Sequence, residues 1–233
     1  MSTDLTQIEQ GSRGEVADRL AHLQLAQLVH GHRSLILFDG WEGSGKSRAL
    51  RRLTAAWDPC HFATYCALPA EDRHWLARYW NALPTAGRTS LFCGSWYREL
   101  VLDRLSGRLG DKAWSRRCDE VNEFEAQQRD EGTALIKLFF DVAAPIQAER
   151  LTARDADSWR RWTAPTERPR SRDAEQAAWS DLFARTDTRW APWLLIDAND
   201  LDAAEENALS AIAEALGKAI PSDPPVEAQR AAG

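Results

Sequence analysis

Several features that define other protein classes are missing from this chain. Its 233 residues include four cysteines, none in a C-x-x-C pair, and five histidines without metal-ligand spacing, so neither a disulfide framework nor a zinc site is indicated. No apolar run approaches the roughly 18 residues of a membrane span, and the N-terminus carries no apolar signal segment, so a cytoplasmic protein with no membrane partner is expected. The net charge of −6 gives no general basic field. Nucleic acid is therefore not expected as a partner, and any polyanion must be held by a local basic patch.

A phosphate-binding motif is present. The segment GWEGSGKS, from Gly40 to Ser47, fits the Walker A pattern G-x-x-x-x-G-K-S. A short apolar strand at 34–38 precedes it and a helical segment at 48–57 follows, which is the context that the motif requires; without that context it would be a chance match. Backbone N–H groups would surround phosphate oxygens, the lysine would reach the terminal phosphates, and the serine hydroxyl would bind Mg²⁺. The predicted phosphate-binding residues of the loop are Gly40, Gly43, Ser44, Gly45, Lys46 and Ser47.

Strands alternate with helices five times, which predicts an α/β fold with a parallel sheet. The near-continuous apolar run Thr133–Val142 is the clearest strand and is typical of a buried central position. The other strands are expected near 34–38, 61–66, 88–93 and 190–198. Right-handed crossovers would cover both faces with helices, giving three layers, α/β/α. The phosphate loop would then lie at the carboxyl edge of the sheet, where open α/β sheets bind ligands.

The pattern predicts one domain, at 15–220, between two tails. Residues 1–14 are polar and are predicted to form a flexible N-terminal tail, and residues 221–233 a disordered C-terminal tail. Helices are predicted at 15–29, 70–83 and 144–153, among others, because apolar residues recur there at helical spacing or because turn residues bound the segment.

An arginine-rich segment, Arg154–Arg172, stands apart from the rest of the domain. It has little apolar periodicity and contains six arginines. Guanidinium groups bind phosphate in bidentate fashion, and few apolar contacts leave a segment free to move. The segment is therefore predicted to be a lid over bound phosphates, the alternative being a solvated loop that binds nothing.

Two groups of acidic residues near the predicted site have more than one interpretation. Glu71 and Asp72 begin the helix predicted after the second strand; with Trp75 they would border an acceptor nucleotide, or they would only compensate the helix dipole. Asp39 and Glu42, beside and inside the loop, are the acids nearest in sequence to the expected metal. A phosphate-loop enzyme usually has a further carboxylate at the end of a second strand, and none ends the strand at 88–93.

Several separate motifs resemble the polyphosphate kinase 2 family, in the same order, over about residues 20–216. FDGWEGSGK at 38–46 resembles its phosphate loop, LPTAG at 83–87 its L-P-x-x-G motif, and SWY at 95–97 its S-W-Y motif. Further matches are NEFE at 122–125, DEGT at 130–133, RTDT at 185–188, APW at 191–193 and AND at 198–200. The resemblance implies a P-loop kinase-like fold with a five-stranded parallel sheet and a helical, arginine-rich lid.

The same resemblance implies an activity and roles for matching residues. The protein would transfer a terminal phosphoryl group between inorganic polyphosphate and a nucleoside mono- or diphosphate, with Mg²⁺, and a homo-oligomer is expected. Lys46 would hold phosphate, and Glu42 stands where the family has a metal-binding aspartate. Arg160 and Arg161 fall in the lid and would act in catalysis with these two residues.

One departure from the family pattern concerns the metal site. The family's Asp-Arg pair before S-W-Y is Cys93-Gly94 here, so a magnesium-binding acid and a phosphate-binding arginine are both replaced. Asp39 and Glu42 would then hold the metal together with Ser47, and Arg98 or a lid arginine would supply the positive charge. The sequence leaves two alternatives open: a catalytically degenerate family member that binds nucleotide or polyphosphate, and an ATP-dependent small-molecule kinase.

Overall fold

A computed structural model describes residues 5–66, 68, 74–163 and 171–224 and, apart from Thr163, their side chains from Gly14 onward. Within these ranges five parallel strands form one sheet in the order β2-β3-β1-β4-β5. The strands are β1 (Arg33–Gly40), β2 (Phe62–Tyr65), β3 (Thr89–Cys93), β4 (Thr133–Asp141) and β5 (Trp193–Asp197). The sequence-based prediction of a five-stranded parallel sheet is confirmed.

Eight α-helices lie within the described ranges and cover the sheet in two groups. They are α1 (Leu5–His30), α2 (Lys46–Ala55), α3 (Ala77–Trp80), α4 (Trp96–Leu105), α5 (Asp111–Asp130), α6 (Ala144–Ala156), α7 (Arg172–Thr186) and α8 (Leu201–Ala219). α1 and α2 pack with α8, whereas α4, α5 and α7 pack with one another. The result is the expected α/β/α arrangement. Among the described helices, none has both the length and the apolar character that crossing a bilayer requires.

The core explains why β4 has no polar face. Ile136, Leu138 and Phe140 alternate with Lys137 and Phe139, and all five side chains are buried because helices cover both faces of the strand. The one charged member pairs with Glu125 of α5 at 3.1 Å, so a buried ion pair replaces an apolar contact at this position. Six of the eleven tryptophans join the core: Trp41, Trp57, Trp96, Trp114, Trp179 and Trp193.

Three predicted boundaries need correction. α1 begins at Leu5, ten residues before its predicted start, because the polar stretch contains no proline and its two glycines, Gly11 and Gly14, weaken a helix without ending it. Within 74–83, the described part of the helix predicted at 70–83, only the single turn of α3 is helical; i→i+3 hydrogen bonds such as Tyr79 N to Leu76 O tighten this segment into turns. α6 continues to Ala156 and so includes the start of the predicted lid. Residues 225–233 of the predicted C-terminal tail lie outside the described residues.

Candidate phosphate-binding site

The phosphate loop connects β1 to α2 at the carboxyl edge of the sheet. Gly40 ends the strand with φ +130°, and a Cβ at this position would lie 2.4 Å from the carbonyl oxygen of Phe140 in β4. Only glycine fits so close to the neighbouring strand. Ser44 is fully buried, and the Ser47 hydroxyl lies in the exposed first turn of α2. The motif and its strand–loop–helix context are therefore as the sequence predicts.

The Lys46 ammonium lies inside the loop that precedes it. Its Nζ donates to the carbonyl oxygens of Gly40, at 2.8 Å, and Trp41, at 2.5 Å. Burial lowers the pKa of Lys46 to about 8, while negative charge at Cys93 and Asp39 opposes that shift. Its third partner is the Ser44 hydroxyl, at 3.3 Å. All three partners are neutral, so the desolvated ammonium would gain by exchanging them for an anionic phosphate oxygen, which would favour its charged form.

Helix α6 holds the outer side of the loop. Gln147 Nε2 donates to the carbonyl oxygen of Glu42 at 2.9 Å, and Arg154 pairs with the Glu42 carboxylate at 2.7 Å. Arg150 donates to the carbonyl oxygens of Ala198, at 2.8 Å, and Asn199, at 2.7 Å, in the A-N-D motif. The predicted metal acid Glu42 is thus engaged by the first arginine of the predicted lid.

A second contact joins the loop to α7. The guanidinium of Arg172 lies 4.1 Å from the ring centroid of Trp41, and its Nη2 donates to the carbonyl oxygen of Val142 at 2.5 Å. Trp41 Nε1 in turn donates to Asp141 at 2.6 Å, at the end of β4. The tryptophan of the loop therefore packs between β4 and the helix that follows the predicted lid.

Asp39 forms hydrogen bonds that hold Ser95 in place. The side chain is fully buried, and its two carboxylate oxygens accept hydrogen bonds from the backbone N–H, at 3.1 Å, and the hydroxyl, at 2.6 Å, of Ser95. Burial raises the pKa of Asp39 and the Ser95 hydrogen bonds oppose the shift. These two hydrogen bonds tie β1 to the N-terminus of α4, and each carboxylate oxygen keeps a lone pair with which Asp39 could still contact a metal-bound water.

Cys93 lies at the position where the resemblance expects an acid. Its Sγ is 3.6 Å from Ser47 Oγ. A hydrogen bond from the Cys66 thiol lowers the pKa of Cys93 to about 6, helped by Ser47 and the charge of Lys46 and opposed by burial. The same hydrogen bond raises the pKa of Cys66. The site therefore contains two adjacent thiols that the sequence alone did not bring together.

Gly94 and Arg98 share the space beside these thiols. Gly94 has φ +83°, and a Cβ on it would lie 3.1 Å from Arg98 Cδ. The side chain of Arg98 therefore passes directly over the residue where the family pattern has its arginine. Its positive charge lowers the pKa values of Asp39, Lys46 and Glu175, which places the guanidinium within range of the phosphate loop.

Glu175 is a site residue that the sequence did not reveal. It lies in the first turn of α7 and is only 7% exposed. Burial raises the pKa of its carboxyl, and the charges of Arg98, Lys46 and Arg172 oppose that shift. In the sequence it is one of two acids in a helix's first turn, a pattern that dipole compensation explains fully, so only tertiary packing identifies it. Gln147 and Arg150 belong to no sequence motif, so they too are identified only by tertiary packing.

The remaining predicted site residues lie away from the loop or outside the described residues. Arg160 and Arg161 are exposed in a 3₁₀ turn; the first pairs with Asp157 at 3.7 Å, and the second lies 5.5 Å from the Trp162 ring centroid. Trp75 packs on α5, where its Nε1 donates to Glu120 at 2.8 Å. Glu71, Asp72 and residues 164–170 of the predicted lid lie outside the described residues.

The donor set fits a magnesium ion held largely by substrate. In the described part of the chain, no three His, Cys, Asp or Glu side chains gather closely enough to form a metal cage. Mg²⁺ usually keeps several waters and takes one or two protein oxygens together with substrate phosphates. The exposed Ser47 hydroxyl meets that requirement, whereas the Cys93 sulfur is a poor ligand for this hard cation.

Known proteins resemble this chain over most of its length. The family model described as polyphosphate kinase 2 matches residues 6–224. The polyphosphate:AMP phosphotransferase of Pseudomonas syringae is 34% identical over 200 residues, covering 82% of this chain and 40% of that protein. The GDP-polyphosphate phosphotransferase of Mycolicibacterium smegmatis is 33% identical over 217 residues, covering 88% of this chain and 75% of that protein.

Solved structures give the same result for the fold. A crystal structure described as a polyphosphate kinase 2 from Pseudomonas aeruginosa superimposes with a TM-score of 0.83 at 30% identity, covering 94% of this chain and 50% of that one. The chain thus spans half or less of two of these three relatives.

Proposed function

Because this chain belongs to the polyphosphate kinase 2 family, with its P-loop kinase-like fold, we propose that it transfers a terminal phosphoryl group between inorganic polyphosphate and a nucleoside mono- or diphosphate. The observation that carries the proposal is the phosphate loop itself, with Lys46 enclosed by the carbonyl oxygens of Gly40 and Trp41. The names of the relatives, which include AMP and GDP as nucleotide partners, support this substrate class.

In this proposal the protein acts by positioning and charge. The loop amides and Lys46 bind phosphate oxygens, and Arg98 supplies positive charge beside them. Mg²⁺, when bound, neutralises phosphate charge and orients the transferring group. Ser47 is the side chain best placed to hold that ion, and Glu42 joins it if the Arg154 pair opens. Asp39 contributes by holding Ser95 in place, and its buried carboxylate charge acts on Lys46.

The predicted lid would complete the site when substrate binds. Arg160 and Arg161 lie in a turn flanked by Trp159 and Trp162, which are 83% and 78% exposed. Guanidinium groups would bind polyphosphate oxygens and an exposed indole would stack on a nucleobase. Closing the segment over the loop would also exclude water from the transfer. Glu71, Asp72 and Trp75 remain predicted neighbours of the acceptor nucleotide.

The second candidate is a degenerate family member that binds but does not turn over, and Cys93-Gly94 is the observation that favours it. The ATP-dependent small-molecule kinase gains no support from the relatives. A homo-oligomeric assembly and a cytoplasmic location stay predictions.

An acceptor panel separates the two candidates. The protein would be incubated with polyphosphate and Mg²⁺ and with AMP, ADP or GDP, and nucleotides separated by anion-exchange chromatography. We expect at least one acceptor to gain one phosphate. Polyphosphate binding by calorimetry without any product would instead identify a degenerate binding protein.

A further inference from the structure

Cys66 and Cys93 occupy neighbouring positions on adjacent strands. β2 and β3 are paired in parallel, with Tyr65 opposite Phe92 as the last registered pair, and each cysteine directly follows one of these residues. Paired strands lie about 4.8 Å apart, which falls inside the Cα separation that a disulfide spans, roughly 4.4–6.8 Å. Side chains at registered positions of paired parallel strands lie on the same face of the sheet, so continuing the register places the two thiols side by side, and each shifts the pKa of the other.

The pair combines access with proximity to the phosphate loop. Cys66 is exposed, whereas Cys93 is partly buried and lies 3.6 Å from Ser47 Oγ. The other two cysteines do not share this arrangement: Cys60 is exposed in the turn before β2, near the opposite end of that strand, and Cys118 is buried in α5. Cys66 is therefore placed as the entry thiol and Cys93 as the resolving thiol of one reactive pair.

We propose that Cys66 and Cys93 form a reversible thiol–disulfide modification site that controls phosphate binding at the adjacent loop. The proposal of control rests on the proposed function. The co-reactant is a low-molecular-weight disulfide such as oxidised glutathione. Cys66 passes its proton to the adjacent Cys93 thiolate and attacks one of the glutathione sulfurs, breaking that S–S bond and releasing one glutathione thiolate. Cys93 then attacks the Cys66 sulfur of the mixed disulfide, forming the Cys66–Cys93 bond and releasing the second glutathione. The proton leaves on one glutathione sulfur, and solvent supplies a proton to the other.

Oxidation changes what the loop presents to an anion. In the reduced protein the Cys93 sulfur lies 3.6 Å from Ser47 Oγ, in the first turn of α2. Linking the sulfurs at about 2 Å draws Cys93 toward Cys66 and away from Ser47, and it ties the carboxyl ends of β2 and β3 together. We therefore expect the oxidised protein to bind polyphosphate about tenfold more weakly, and a thiol reductant to restore binding.

The test measures the bond and its effect separately. The protein is treated with oxidised glutathione, alkylated and mapped by mass spectrometry without reduction, next to Cys66→Ser and the matched exposed variant Cys60→Ser. We expect a Cys66–Cys93 peptide in the wild type and in Cys60→Ser. Glutathione retained on Cys66 with Cys93 alkylated, and no linked peptide, would overturn the modification site.

Calorimetry of polyphosphate binding, before and after oxidation, tests the control. Oxidation should reversibly lower the affinity for polyphosphate in the wild type and in Cys60→Ser. It should leave the affinity of Cys66→Ser unchanged. The proposed control would be overturned if a protein with its Cys66–Cys93 disulfide fully formed kept its affinity for polyphosphate. It would also be overturned if oxidation lowered the affinity of Cys66→Ser equally. Failure of the reduced protein to bind polyphosphate would contradict the proposed function instead, and the peptide map would still decide whether the thiol pair forms its bond.

Discussion

At the residue scale, the candidate site depends on a few side chains whose consequences can be tested separately. Cys93 occupies the expected acid position, Arg98 lies over Gly94, and Glu175 brings a buried carboxylate into range of three cations. The phosphate loop was predictable because a local motif encodes it. Glu175 was not, because its approach to the loop depends on how α7 packs.

Cys93→Asp tests whether the missing acid limits the rate. A carboxylate beside Ser47 would orient magnesium-bound water, so we expect turnover to rise about ten- to a hundredfold. The single substitution is preferable to one that also changes Gly94, because φ of +83° would strain an arginine there by about 1–2 kcal/mol. Steady-state kinetics at saturating Mg²⁺ is the measurement, with Cys93→Ser as the neutral control. No gain over a fast wild type would mean that other residues have replaced the acid.

Glu175→Gln should stabilise the fold. Burial raises the pKa of the Glu175 carboxyl above its ordinary value of 4.5, so the folded state binds this proton more tightly than the unfolded state does. The charged carboxylate therefore costs stability above the raised pKa, and that cost disappears as the pH falls to the ordinary value. In urea unfolding between pH 4 and pH 8, Glu175→Gln should have a higher free energy of unfolding than the wild type at neutral pH. This difference should vanish near pH 4. A loss of stability at neutral pH would show that the cations around it outweigh its burial.

At the element scale, α4 and α6 position the site. The Asp39–Ser95 contact fixes the start of α4, and Gln147, Arg150 and Arg154 of α6 hold the loop and the A-N-D segment. The sequence predicted α6, at 144–153, from the turn residues that bound it. It could not predict which helix face meets the loop, nor that α6 continues into the predicted lid, because no local signal ends it at Ala153.

The lid hypothesis predicts a change in hydrogen exchange. Amides at 157–163 should exchange rapidly in the free protein and slow by at least tenfold when polyphosphate is added, because closure would order the arginine-rich turn. Amides of β4 serve as the internal control and should stay protected in both states. Strong and equal protection of 157–163 with and without polyphosphate would rule out a lid at this segment.

The Lys137–Glu125 pair joins β4 to α5 and to the S-W-Y helix. Both side chains are fully buried, and Glu125 Oε1 also accepts hydrogen bonds from Tyr97, at 2.5 Å, and Trp96, at 3.1 Å. Lys137→Met should cost about 3–5 kcal/mol in urea unfolding, because it leaves a buried carboxylate unpaired. Adding Glu125→Gln should recover part of that loss. Equal stability of Lys137→Met and wild type would show that Glu125 is already neutral.

At the scale of the whole molecule, a chain with a net charge of −6 is proposed to bind a polyanion through one local group of cations. Lys46, Arg98 and Arg172 converge at the carboxyl edge of the sheet, where their charges act on Glu175. The number of strands and their parallel direction could be predicted from the resemblance, and the alternation of elements predicted a parallel sheet independently. The arrangement of these cations could not, since it depends on three helices that are distant in sequence.

The most direct test of the proposed function is phosphoryl transfer by the wild type next to two lysine variants. Lys46→Ala removes the ammonium of the phosphate loop, and Lys218→Ala removes an exposed lysine in the last turn of α8 that pairs only along its own helix. Each would be checked for folding by circular dichroism and then incubated with polyphosphate, Mg²⁺ and nucleotide. We predict that wild type and Lys218→Ala form phosphorylated nucleotide at equal rates and that Lys46→Ala is slower by about a thousandfold. The proposed function would be contradicted by a wild type that forms no product, or by a folded Lys46→Ala that retains the wild-type rate.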